Sequence, residues 1–157
     1  MVLIRRFKSE DIDEVEEIER EAFRKPYPRN LILGLWAMYP NLFYVAELNG
    51  RVVGYILGTL DWGNGHIVSL AVKKEFRRRG IGEKLLKTLE HYYFNVLKCN
   101  YIILEVRVSN IVARKFYYKM GYKDRKLIPN YYEDGEDAIL MIKKREGAKG
   151  ILVVSLW

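Results

Sequence analysis

The sequence contains no glutamine, one cysteine and four prolines, and no apolar run approaches the roughly 20 residues needed to cross a bilayer. A single cysteine, Cys99, excludes an internal disulfide, and a structural role is expected for it. The missing apolar run argues against a membrane-spanning helix. The opening MVLIRRFKSEDIDEVEE turns acidic at once, without the basic head and long apolar stretch of a secretory signal. A cytoplasmic protein with no membrane partner is therefore expected. Histidine is scarce too. Neither His66 nor His91 has a second ligand at metal spacing, so no metal site is expected, and His91 reads as a surface residue. The absence of glutamine beside abundant Lys, Arg and Glu resembles hyperthermophile usage.

What is present suits one domain. The 157 residues are 50% hydrophobic, enough for a sizeable core. The net charge is +7 and uneven. Residues 10–21 hold eight acids and one base, −7, which leaves +14 for the remainder. Such a balance suggests an anionic partner: nucleic acid, a membrane surface or a phosphorylated ligand.

Periodicity orders the chain. Leu3 to Phe7 can be a strand, and Ser9 offers an N-cap for an amphipathic helix over Glu10 to Phe23. The stretch RKPYP (Arg24 to Pro28) is a loop, followed by a short apolar helix around Leu31 to Tyr39. Strand-like runs flank Asn49-Gly50, a hairpin signal, and DWGNG (Asp61 to Gly65) is a second turn. His66 to Val72 is a strand, Arg77 to Gly82 a loop, and Ile81, Leu85, Leu89 and Tyr93 mark a helix running to about Leu97. Tyr101 to Val106 reads as a central strand interrupted by one acid, Glu105. A helix from Ser109-Asn110 to Met120 ends at Gly121. Tyr122 to Ile128 and Asp137 to Lys143 are final strands. Strands dominate the first half and alternate with helices in the second, which predicts a mixed α/β sheet with helices on its faces.

The most informative stretch is KKEFRRRGIG after Val72. A strand ends, a glycine-bearing loop turns, and a helix begins with free N–H groups, an arrangement that binds anions through backbone donors and the macrodipole. Gly80 and Gly82 allow close approach of the backbone, and Arg77, Arg78 and Arg79 add charge. The spacing is that of neither GxxxxGK[ST] nor GxGxxG.

Arg77-x-x-Gly80-x-Gly82 resembles the Q/R-x-x-G-x-G/A signature of the GNAT N-acetyltransferase superfamily. LEVRVSN (Leu104 to Asn110), FYYKMGY (Phe116 to Tyr122) and NYYEDGEDAILM (Asn130 to Met141) resemble its RimI-like and archaeal protein N-terminal acetyltransferase members. The resemblance covers roughly residues 2–144 and implies one domain over 1–144, with a C-terminal extension over 145–157 packed on the domain or a dimer mate. It implies about seven strands and about four helices, with two splayed central parallel strands that receive acetyl-CoA. Leu70, Ala71 and Val72 would hold the acetyl and pantetheine arm. Arg77, Arg78, Arg79, Gly80, Ile81, Gly82 and Glu83 would hold the diphosphate. Asn110, Ala113 and Tyr117, at i, i+3 and i+7, would line the thiol end and arm, although Asn110 could equally be a plain N-cap.

Direct transfer needs a base, an acid and an acceptor site. Glu105 is the expected base; a carboxylate in an apolar strand is costly without a partner, so a structural salt bridge is the competing reading. Tyr117 is the expected acid toward the leaving thiolate. His66 suits proton transfer and would assist. Tyr27, Tyr131 and Tyr132 would wall the acceptor site, and Lys25 stands where some archaeal relatives carry a loop glutamate. The expected acceptor is a protein or peptide N-terminus, that of a ribosomal protein among them, and the expected state is monomer or homodimer. The competing readings are a small-amine or lysine acetyltransferase, a CoA-binding regulator without turnover, and a nucleic-acid-binding module. The last is made unlikely by the lack of any recognisable nucleic-acid motif.

Overall fold

The computed structural model describes residues 1–147. Its seven strands are β1 (Leu3–Arg6), β2 (Phe43–Leu48), β3 (Arg51–Asp61), β4 (Asn64–Val72), β5 (Tyr101–Arg107), β6 (Lys123–Ile128) and β7 (Ala138–Lys144). Four α-helices accompany them: α1 (Ile12–Ala22), α2 (Arg29–Met38), α3 (Ile81–His91) and α4 (Ile111–Lys119). The strands form one sheet in the order β1-β2-β3-β4-β5-β7-β6, antiparallel except for the β4–β5 pair.

The sheet is covered on both faces, and the alternation along β2 shows how. Phe43 and Val45 join Val15 and Ile18 of α1 and Ile32 of α2, whereas Tyr44 and Ala46 join Leu85, Leu86 and Leu89 of α3 and Tyr117 of α4. A period-2 strand thus feeds two cores at once. Both hairpin tips carry two successive residues at positive φ, Asn49 and Gly50 (52° and 78°) and Trp62 and Gly63 (53° and 76°). This is the pairing a two-residue type I′ turn requires.

Two expectations are corrected in detail. Ser9 is not the N-cap of the first helix; its hydroxyl turns to Glu10. The buried Asp11 carboxylate instead accepts the Lys8 N–H at 2.8 Å and the Arg5 guanidinium at 2.8 and 2.9 Å, so a 3-10 turn at Ser9–Asp11 leads into α1. The helix expected to reach Leu97 is α-helical only to His91 and continues as a π-helical turn over Tyr92–Val96. The acidic run of α1 is also less of a free surface than its charge suggests. Glu14 accepts the N–H of Val52 and Glu21 that of Lys74, while Arg29 pairs with Asp13 and Glu16.

Cys99 is buried, its thiol 3.5 Å from the Gly63 carbonyl, and His91 lies exposed beside Asn95. Of the extension 145–157, residues 148–157 lie outside the described residues. Arg145, at its start, is pinned to Cys99 and Asn100. Among the described residues no helix is long and apolar enough to cross a membrane, and no group of three or more His, Cys, Asp or Glu could hold a metal ion.

Candidate active site

The parallel strands β4 and β5 pair only at Gly65 with Ile102 and His66 with Ile103. Beyond His66 they part, so Leu70, Ala71 and Val72 keep their pairing to Ile56, Tyr55 and Gly54 of β3 but lose it toward β5. The result is a V whose open arm exposes unpaired strand edge. Tyr93 fixes its closed end. The phenol reaches through the helix–sheet layer to donate to the carbonyls of Thr59 (2.7 Å) and His66 (3.2 Å). A Cβ on Gly58 would meet that hydroxyl at 2.1 Å, and one on Gly65 would meet the ring at 2.8 Å, so both positions require glycine.

The open end of the V meets the start of α3. Arg78 and Gly80 take positive φ, 64° and 79°, and Gly80 is the N-cap with no side-chain cap. The first N–H groups of α3 are thus left to an anion. A Cβ on Gly82 would stand 3.8 Å from Phe116 and 3.9 Å from Val72, in ordinary contact between β4 and α4, so a larger side chain there would press on both. Two of the three arginines are turned to structural work. Arg77 donates to the Val72 carbonyl (2.8 Å), and Arg79 donates to the Glu75 carbonyl (3.2 Å) with its guanidinium over the Phe76 ring. Asn110 caps α4, accepting the Ala113 N–H at 3.1 Å. The Tyr117 hydroxyl has no hydrogen-bond partner among the described residues, and the residue is buried. Burial, then the charge of Glu90, holds that phenol far above its usual value, so it stays protonated at neutral pH.

At the apex of the V stand the candidates for proton transfer. His66 Nε2 lies 2.8 Å from Glu105 Oε1, and His66 Nδ1 lies 3.6 Å from Asp61 Oδ2. Burial alone would lower the imidazole value, but hydrogen bonding to Glu105, its charge and that of Asp61 outweigh it and raise it above 6.5. Tyr131 approaches the Glu105 carboxylate, and burial followed by that charge pushes its phenol up to about 12. Tyr27 and Tyr132 shift the same way, burial first, with Glu105 contributing to both. Four of the residues expected on the acceptor and proton side, His66, Tyr27, Tyr131 and Tyr132, therefore converge on the Glu105 carboxylate, whereas Tyr117 does not.

Side chains that look unremarkable in the sequence hold this side together. The buried Glu19 carboxylate binds Tyr55, Ser69 (3.0 Å) and the Tyr27 N–H (2.8 Å), tying the loop after α1 to β3 and β4. Arg107 stacks on Tyr132 at 4.0 Å and binds Asp134 and Glu136, each at 2.9 Å. Lys25 pairs with Glu133 and Arg24 with Asp134 (3.5 Å), so the loop before α2 and the loop between β6 and β7 are clasped across the site. One signal could have revealed Asp61: on the hairpin register it lies diagonal to His66 on a neighbouring strand.

The model of the Acetyltransferase (GNAT) family matches residues 12–122. The chain belongs to the GNAT acetyltransferase family. Its relatives include the N-acetyltransferase MJ1530 of Methanocaldococcus jannaschii, 72% identical over 99% of this chain and 100% of that protein. They include an N-alpha-acetyltransferase of Sulfurisphaera tokodaii, 39% identical over 88% of this chain and 90% of that one. Among solved structures, Ard1 from Thermoplasma volcanium superposes with a TM-score of 0.88 at 32% identity, covering 92% of this chain and 97% of that one. This GNAT chain is an acetyl-CoA-dependent N-acetyltransferase, and the splayed strands, uncapped α3 and small Gly82 fit a pantetheine arm and diphosphate.

Proposed function

We propose that the chain acetylates the α-amine of protein N-termini, ribosomal proteins among them, by direct transfer. The observation that carries the reading is the His66–Glu105 pair at the apex of the V, ringed by Tyr27, Tyr131 and Tyr132. Bound acetyl-CoA supplies the activated acetyl group. The unpaired edge of β4 and the first amides of α3 hold its arm and diphosphate, and the loop's remaining arginine, Arg78, adds charge there. Glu105, its side chain 14% exposed, takes a proton from the arriving ammonium with His66 beside it. Tyr117, kept protonated by burial, gives its proton to the departing thiolate. Tyrosine walls fit a chain end, offering apolar faces to the first side chain and hydroxyls to the peptide backbone. The name of the Sulfurisphaera tokodaii relative, an N-alpha-acetyltransferase, supports the same acceptor.

The test is mass spectrometry of a peptide library incubated with the protein and acetyl-CoA, each peptide present with a free and a blocked N-terminus. Acetylation confined to free α-amines is expected. Transfer to internal lysines of blocked peptides, or to none, would overturn the reading.

A further inference from the structure

Three residues on three adjacent strands form a diagonal row. Thr59 of β3 faces His66 of β4, and Asp61 stands two residues further along. Ile103 of β5 faces His66, and Glu105 stands two residues further along. Two-residue steps keep all three side chains on one face of the sheet, and diagonal neighbours are within reach of long side chains. Asp61 is held firmly for a residue at a hairpin end. The turn Trp62-Gly63 is fixed, and the Asn64 amide binds the Trp62 carbonyl (3.2 Å) while its oxygen accepts the Asn100 N–H (2.8 Å).

We propose that Asp61 is a positioning residue for the acetyl transfer: it holds Nδ1 of His66 outward, so that Nε2 faces Glu105, and steadies the imidazolium formed when the pair takes up the acceptor's proton. The inference rests on the acetyltransferase reading of the site. A neutral imidazole carries one N–H and one lone pair. The 2.8 Å contact places the neutral ring's proton on Nε2, donated to Glu105. Nδ1 then keeps the lone pair, and the Asp61 carboxylate 3.6 Å away favours a second proton there. In the transfer, an N–H bond of the acceptor ammonium breaks and the pair takes up the proton, so that it holds one proton between Nε2 and Oε1 and one on Nδ1 beside Asp61. The ring is then a cation between two carboxylates. The other groups around it are phenols: Tyr93 on its carbonyl, Tyr101 near Asp61, and Tyr27 and Tyr131 near Glu105. Asp61 is the one further anion among them, and with a side chain 44% exposed it can be changed at little cost to the core.

The experiment is an NMR titration of His66, resolved from the one other histidine, His91, in wild type, Asp61→Asn and Asp61→Glu. It runs beside pH profiles of kcat and KM for a peptide the wild type acetylates. In Asp61→Asn, His66 is expected to titrate at lower pH, and the acid limb of the kcat profile to move down with it. The plateau kcat falls about tenfold, as expected for a weakened base, while both KM values stay within about twofold because ground-state binding is untouched. Asp61→Glu restores the profile. An unmoved His66 titration, or a kcat unchanged in Asp61→Asn, overturns the inference. The NMR arm needs no substrate, so it reads Asp61 even if no peptide is acetylated, an outcome that would sink the proposed acceptor instead.

Discussion

The two halves of the V are built from different materials. The proposed acetyl-CoA side is mostly backbone: an unpaired strand edge, an uncapped helix start and glycines, contributed by the contiguous stretch from Leu70 to Glu83. The proposed acceptor side is mostly side chains from strands β3, β4 and β5 and from two loops, joined by contacts such as Lys25–Glu133 across 108 residues. Backbone geometry recognises a constant group, the diphosphate and arm, and tolerates change in side chains. Side chains clasped by ion pairs read a variable group and can be exchanged one by one. The two sides should therefore fail independently.

The largest effect expected is on chemistry alone. Glu105→Gln should lower kcat by about 10²–10⁴-fold, the usual contribution of a general base, while calorimetry shows acetyl-CoA binding unchanged. Joint loss of binding and turnover would mean that the two sides are not separable. Next in size is the opposite failure. Gly82→Leu presses a side chain on Val72 and Phe116. Acetyl-CoA affinity should fall about ten- to a hundredfold, in line with a packing conflict of about 1–3 kcal/mol, with no change in KM for the peptide.

A smaller effect probes the clasp. Lys25 and Glu133 have side chains 61% and 77% exposed, so their pair is screened and worth little to stability. Lys25→Glu should raise the peptide KM about two- to fivefold at low salt and leave acetyl-CoA untouched. The double exchange Lys25→Glu with Glu133→Lys should recover it. The smallest effect is on folding. His66 has its value raised in the native state, so its contribution to stability is fully present below the ordinary 6.5 and is lost as pH rises through the higher native value. Denaturant midpoints of wild type and His66→Gln should converge across that window; parallel curves would show that the raised value is not a property of the fold.

The contrast also explains which residues could be read from the sequence. Gly80 and Gly82 announce themselves because strand, loop and helix are adjacent in the chain and each leaves a local signature. Glu105 is legible as an acid inside an apolar strand, and the three tyrosines through the family motifs around them. Asp61 looks like a turn residue, and Glu19 like one of eight acids on a solvated helix. Their roles appear only when β3, β4 and β5 are set in register and α1 is laid over β4. The arginine triplet shows the reverse. Its charge suggests three phosphate ligands, but Arg77 and Arg79 are drawn to backbone carbonyls at the strand end and loop.

Sequence alone determined the element order, the Asn49-Gly50 hairpin, the turn at Asp61 to Gly65 and the strand–loop–helix passage into α3, because each depends on neighbours within a few residues. Tertiary structure decided the splay of β4 from β5, the meeting of His66 with Glu105 and Asp61, and the clasp over the acceptor site. Those depend on sheet register and on charges far apart in the chain, which no local pattern of residues encodes.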